Sequence, residues 1–82
     1  MENEPSSQRN LGEQPLAKRM ATAELRPADL VEASKDQLTH KMVSRAMKGR
    51  RLTARTMDKV LRAWNQAADA QLERSDLFDY EP

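Results

Sequence analysis

The 82-residue sequence contains no cysteine. That excludes a disulfide framework and any thiolate metal site, so burial and hydrogen bonding must hold the fold. No apolar run approaches the roughly 20 residues that a membrane span requires. The first ten residues lack the apolar core of a secretory signal, and the expected location is cytoplasmic. Gly12 and Gly49 are the only glycines, which leaves no glycine-rich loop to cradle a phosphate. His40 is the only histidine. No stretch alternates polar and apolar residues long enough to predict a strand.

What the sequence does have is charge, unevenly placed. The net charge is only +1. Residues 1–13 carry Arg9 against Glu2, Glu4 and Glu13. Residues 14–39 are balanced. Residues 40–62 then carry Lys41, Arg45, Lys48, Arg50, Arg51, Arg55, Lys59 and Arg62 against Asp58 alone. Residues 63–82 reverse the sign, with Arg74 against Asp69, Glu73, Asp76, Asp79 and Glu81. A near-neutral chain with one basic block presents a local surface for a polyanion.

Helical punctuation divides the chain. Residues 1–13 are polar and read as a flexible arm. Pro15 suits a first helical position, and Leu16, Met20 and Ala23 share a face, which predicts a helix over 14–24. Leu25 is expected to turn inward after it. Pro27 and Asp29 start a second, short helix that carries Leu30 and Val31 and ends at Ala33–Ser34. Residues 34–37 read as a turn. Thr39 is an N-cap and Gly49 a C′ residue, so a third helix is expected from His40 to Lys48. Thr53 caps a fourth, whose Met57, Val60, Leu61 and Trp64 form an apolar stripe and which is expected to run on toward Leu72. Trp64 and the methionines are read as core. The expected fold is all-α: a small domain of four helices, with a fifth as an extension, over residues 14–72 between disordered termini. Residues 73–82 are read as an acidic flexible tail.

The third helix divides into two faces. At about 100° per residue, His40, Ser44, Lys48, Lys41 and Arg45 occupy an arc of roughly 140°. Met42, Val43, Ala46 and Met47 occupy the opposite side. A major-groove helix needs this separation: one side anchored in the core, the other presenting donors. Arg45 suits a bidentate pair to a guanine edge, and Lys41 makes a less directional contact. His40 and Ser44 both donate and accept. Thr39, Lys48, Arg50, Arg51 and Arg55 surround the helix ends and fit contacts to the phosphate backbone.

Thr39-x-x-x-Val43-Ser44-Arg45-x-x-x-Gly49, followed by Arg50, Arg51 and the helix-starting Thr53, resembles the lambda-repressor/Cro-type helix-turn-helix. Leu16, Met20 and Leu30 match the inward positions of that family's first two helices. The resemblance covers residues 14–67. It implies that His40, Lys41, Ser44 and Arg45 face base edges, that Lys48, Arg50 and Arg51 follow the backbone, and that the protein is a repressor-like transcription regulator. The sequence departs from the family in two places. Pro27 stands where the family often has Gln, and the stretch from Leu30 to Thr39 is longer than the family's tight turn.

Other chemistry has little support. Ser44 lies one turn from His40, but no acid on that face would orient the imidazole, so the protein is not expected to be an enzyme. The carboxylates of the C-terminal tail lack metal-loop spacing, and neither metal nor cofactor is expected. The expected partner is double-stranded DNA. A single reading helix contacts few base pairs, so useful specificity calls for a homodimer or a second module, and Leu61, Ala68 and Leu72 are the candidate contacts of a homodimer. The acidic tail is read as solvated; its alternative is that Leu77, Phe78 and Tyr80 dock on a protein partner or fold back over the basic helix. The competing function is a non-catalytic interaction module or adaptor that uses the basic face or the tail.

Overall fold

Each helix starts and stops where its local chemistry dictates. The computed structural model describes residues 11–81. The reading of residues 1–10 as a flexible arm lies outside them. Among the described residues there are five helices: α1 (Pro15–Ala23), α2 (Pro27–Ala33), α3 (His40–Lys48), α4 (Ala54–Ala68) and α5 (Arg74–Leu77). No strand occurs among them, and the all-α fold is as expected. No described helix is long and apolar enough to cross a membrane.

Pro15 and Pro27 occupy first-turn positions, where a missing N–H costs nothing. The Asp29 carboxylate accepts from the Arg26 backbone N–H at 2.8 Å and secures the start of α2. The Thr39 hydroxyl accepts from Met42 N–H at 3.1 Å, and the Thr53 hydroxyl accepts from Thr56 N–H at 3.2 Å. Each satisfies one of the orphan donors of a helix start.

Gly49 closes α3 with φ of 87°, and Arg50 N–H donates to the Arg45 carbonyl at 3.0 Å. That is a Schellman ending, which favours glycine. Gly49 has a second reason to be glycine. Its backbone is crossed by the segment before α1: Leu11 N–H donates to Gly49 O at 2.7 Å and Gln14 N–H to Met47 O at 3.2 Å. A Cβ on Gly49 would overlap the Gly12 carbonyl oxygen. No other residue type combines that backbone conformation with that approach.

The core gathers Leu16 and Met20 of α1, Leu30 of α2, Val43 and Ala46 of α3, and Met57, Val60, Ala63 and Trp64 of α4, with Leu38 from the α2–α3 connection. The α4 helix packs on α2, α3 and α5, and α1 packs on α3 and α5. Leu25, leaving α1, is half-buried against this core as expected.

Two expectations are corrected. The fourth helix ends at Ala68 and does not reach Leu72. Asp69 adopts the left-handed conformation, which Asp tolerates, and Ala70 N–H returns to the Asn65 carbonyl. The Asn65 side chain then folds the chain back, accepting from Leu72 N–H at 2.9 Å and donating to Leu72 O at 3.2 Å.

The second correction is larger. Residues 73–81, read from the sequence as a flexible tail, are packed on the domain. Leu77 is 0% exposed and Phe78 2% exposed, both within the main core. The Asp76 carboxylate accepts from Glu73 N–H at 2.8 Å and starts α5. Arg74 pairs with Asp58 of α4 at 3.1 Å, and Arg19 of α1 donates to Asp76 O at 3.1 Å. Two large apolar side chains offset the ordering of a segment whose other residues are mostly charged. The domain therefore includes both the 11–13 segment and the 73–81 segment that the sequence reading placed outside it.

Candidate nucleic-acid interface

The apolar side of α3 fixes its polar side. Val43 and Ala46 are fully buried, and Met42 and Met47 are half-buried against the core. Thr39 and Gly49 hold the two ends, as the sequence predicts. The helix cannot rotate without exposing Val43, so the opposite arc is presented to solvent. His40, Lys41, Arg45 and Lys48 are exposed and Ser44 is half-exposed. Together with Arg50 they line one shallow open depression of about 380 Å³. The four expected base readers thus share one continuous surface, flanked by two of the expected backbone contacts.

Among the described residues, none of Lys41, Arg45, Lys48, Arg50 and Arg55 forms an ion pair. Arg45 and Lys48 lie in the last turn of α3, where the helix dipole favours cations. The patch therefore needs no internal counter-ion to form.

Other members of the basic block are engaged elsewhere. Arg62 of α4 is tied to Asp36 in the α2–α3 connection, Nε to Oδ2 at 2.9 Å. The hydrogen bond from Arg62 holds the Asp36 carboxyl below its usual range, and the same bond raises the Arg62 guanidinium. Asp58, the one acid of the block, faces Arg74 and not α3.

The long α2–α3 connection is ordered by the same contact. Asp36 N–H donates to the Ser34 hydroxyl at 3.0 Å, that hydroxyl donates to Asp36 O at 3.1 Å, and Leu38 plugs into the core at 7% exposure. The extra residues of this connection are thus held by a side-chain turn, an ion pair and a buried leucine.

Comparison of the chain with protein-family models, curated proteins and solved structures finds no match.

Arg51 stands apart from the residues with which the sequence grouped it. Its guanidinium lies 5.5 Å from the centre of the Tyr80 ring, and Nη1 donates to Glu81 O at 2.7 Å. It is directed to the C-terminal segment, away from the α3 depression. Thr39 uses its hydroxyl as the α3 cap, and Arg55 is exposed on the first turn of α4.

Two residues around the site were not among its expected members. Gln14 is 1% exposed: its Nε2 donates to Gly12 O at 2.9 Å, and its Oε1 accepts from Asp79 N–H at 2.8 Å. Tyr80 accepts from Leu52 N–H at 2.9 Å and donates to Arg50 O at 3.1 Å. The only sequence signal for the second was three apolar side chains, Leu77, Phe78 and Tyr80, within an acidic tail.

Burial pushes the Tyr80 phenol above its ordinary value of 10.0, against the opposing hydrogen bond from Leu52 and the charge of Arg51. A raised folded value favours the protonated ring in the native state. Its contribution to stability is full below the unfolded value and is lost as the pH rises through the folded one. Tyr80 is the sole tyrosine. Phenolate absorbance should titrate with a midpoint above 10.0 in the folded chain and fall back toward it in urea. An unshifted midpoint in the folded chain would contradict the docked position of this ring.

Proposed function

We propose that the protein binds double-stranded DNA sequence-specifically, with α3 in the major groove, and acts as a transcription regulator. The single observation that carries this reading is the solvent face of α3. His40, Lys41, Ser44 and Arg45 share one surface with Lys48 and Arg50, while the opposite side of the same helix is sealed into the core. Arg45 is the reader of a guanine edge, and Lys41, His40 and Ser44 contact neighbouring positions. Lys48, Arg50 and Arg55 neutralise phosphates. The order of elements, with a basic helix capped by Thr39 following a short helix, agrees with the likeness to lambda-repressor/Cro-type proteins drawn from the residues, although Pro27 departs from it.

Salt dependence tests the electrostatic part. Three phosphate contacts per domain correspond to a slope of about −3 for log K against log salt. Fluorescence anisotropy of the full chain on a labelled duplex should give a slope near that value, steepening if two copies bind together. Absence of duplex binding at low salt would favour the adaptor reading.

A further inference from the structure

We infer that Tyr80 is a positioning residue for the DNA-facing surface: its hydroxyl and ring fix the α3–α4 connection so that Arg50 is turned toward the α3 depression. The inference rests on the DNA-binding reading of that surface and adds a residue outside the helix that does the reading.

Arg50 and Arg51 are consecutive, and Arg50 is in an extended, bridged conformation. Successive side chains of an extended chain point to opposite sides. Holding Arg51 therefore directs Arg50 as long as the backbone joining them keeps its extended form. Arg51 is held over the Tyr80 ring at 5.5 Å and by Glu81 O at 2.7 Å. Arg50 accordingly lines the depression with His40, Lys41, Ser44, Arg45 and Lys48.

The backbone is gripped as well. The Tyr80 hydroxyl accepts from Leu52 N–H on one side of Arg51 and donates to the Arg50 carbonyl on the other. One phenol thus satisfies both polar groups that flank Arg51, which the α3–α4 connection would otherwise leave to water.

The grip has a rigid base. Phe78, 2% exposed, packs edge-on to the Tyr80 ring at 6.0 Å. Between them, Asp79 N–H is held by the buried Gln14 amide, which also bonds Gly12 in the segment crossing the end of α3. Chain segments from both ends of the domain converge on the C-terminal end of α3. A tail placed this way does not cover the basic face; it holds the edge of it.

The test uses the full chain and Tyr80→Phe, which keeps the ring, the contact with Arg51 and the packing on Phe78 but removes both hydroxyl bonds. Amide exchange by NMR reads the connection without DNA: Leu52 should be protected in the wild type and should exchange at least ten-fold faster in the variant. Duplex binding reads the consequence through a double-mutant cycle. Arg50→Ala should weaken binding several-fold in the wild type and less than two-fold in the Tyr80→Phe background. A full, undiminished Arg50 effect in the Tyr80→Phe background would overturn the positioning role, as would an unchanged Leu52 amide. If the wild type fails to bind duplex while Leu52 still loosens, the DNA reading is what falls, and the positioning role falls with it.

Discussion

Deleting residues 74–82 is expected to unfold the domain. The deletion removes Leu77 and Phe78, which are 0% and 2% exposed and are shared between α1 and α4 in the main core. Truncating a buried Leu costs about 2–5 kcal/mol and a buried Phe about 3–5 kcal/mol. The Arg74–Asp58 pair and the Gln14–Asp79 hydrogen bond are lost as well. An 82-residue domain has a total stability of only about 4–12 kcal/mol, so the losses are comparable with the whole. The truncated chain should show no cooperative thermal transition in circular dichroism. Leu77→Ala alone should lower stability by about 2–5 kcal/mol, readable as a shift of the urea midpoint. A truncated chain that melts cooperatively within a few degrees of the full one would contradict the packing of α5. Because the segment is structural, a gain in DNA affinity on its removal, which a fold-back autoinhibitory tail would give, is not expected.

The second large effect falls on recognition. Arg45→Ala should weaken binding to a preferred duplex by about 5- to 150-fold, the equivalent of the roughly 1–3 kcal/mol that a bidentate arginine–guanine pair contributes. On random duplex the loss should be no more than a few-fold, because only one charge has gone. Arg45 is exposed and makes no ion pair among the described residues, so the variant should melt within a few degrees of the wild type. Arg45→Lys separates charge from geometry. It keeps the cation but not the planar fork, and should restore random-duplex affinity while leaving the preferred site weak.

The elements governed by local chemistry were legible in the sequence. Thr39 and Gly49 bracket α3 because capping and left-handed turns are decided by one or two residues. The split between the faces of α3 follows from periodicity alone. Thr53 and the Met57–Val60–Leu61–Trp64 stripe indicated the start and the inward side of α4 in the same way, with Leu61 half-buried at its margin.

What was hidden depends on residues far apart in the chain. The basic block reads as eight cations, yet Arg62 is paired with Asp36, 26 positions away, and Arg51 is bound by Glu81, 30 positions away. A run of charge carries no sign of which members have partners. Gln14 reads as a polar helix start, and its burial follows only from Asp79, 65 positions away. The α5 helix is a 4-residue element, too short to show a period, and the two core side chains at its end, Leu77 and Phe78, sit among acids. Composition therefore pointed to solvent, while two well-filled positions in the core decided otherwise.

The central claim is that the polar face of α3 reads duplex sequence. Selection from a pool of random duplex DNA, run in parallel with the wild-type chain and Arg45→Ala, tests it most directly. An enriched short motif containing a guanine is expected, its enrichment lost in the variant, with a repeat of the motif about one helical turn away if the protein binds as a dimer. Failure to enrich any motif, or recovery of the same motif by both proteins, would contradict the claim.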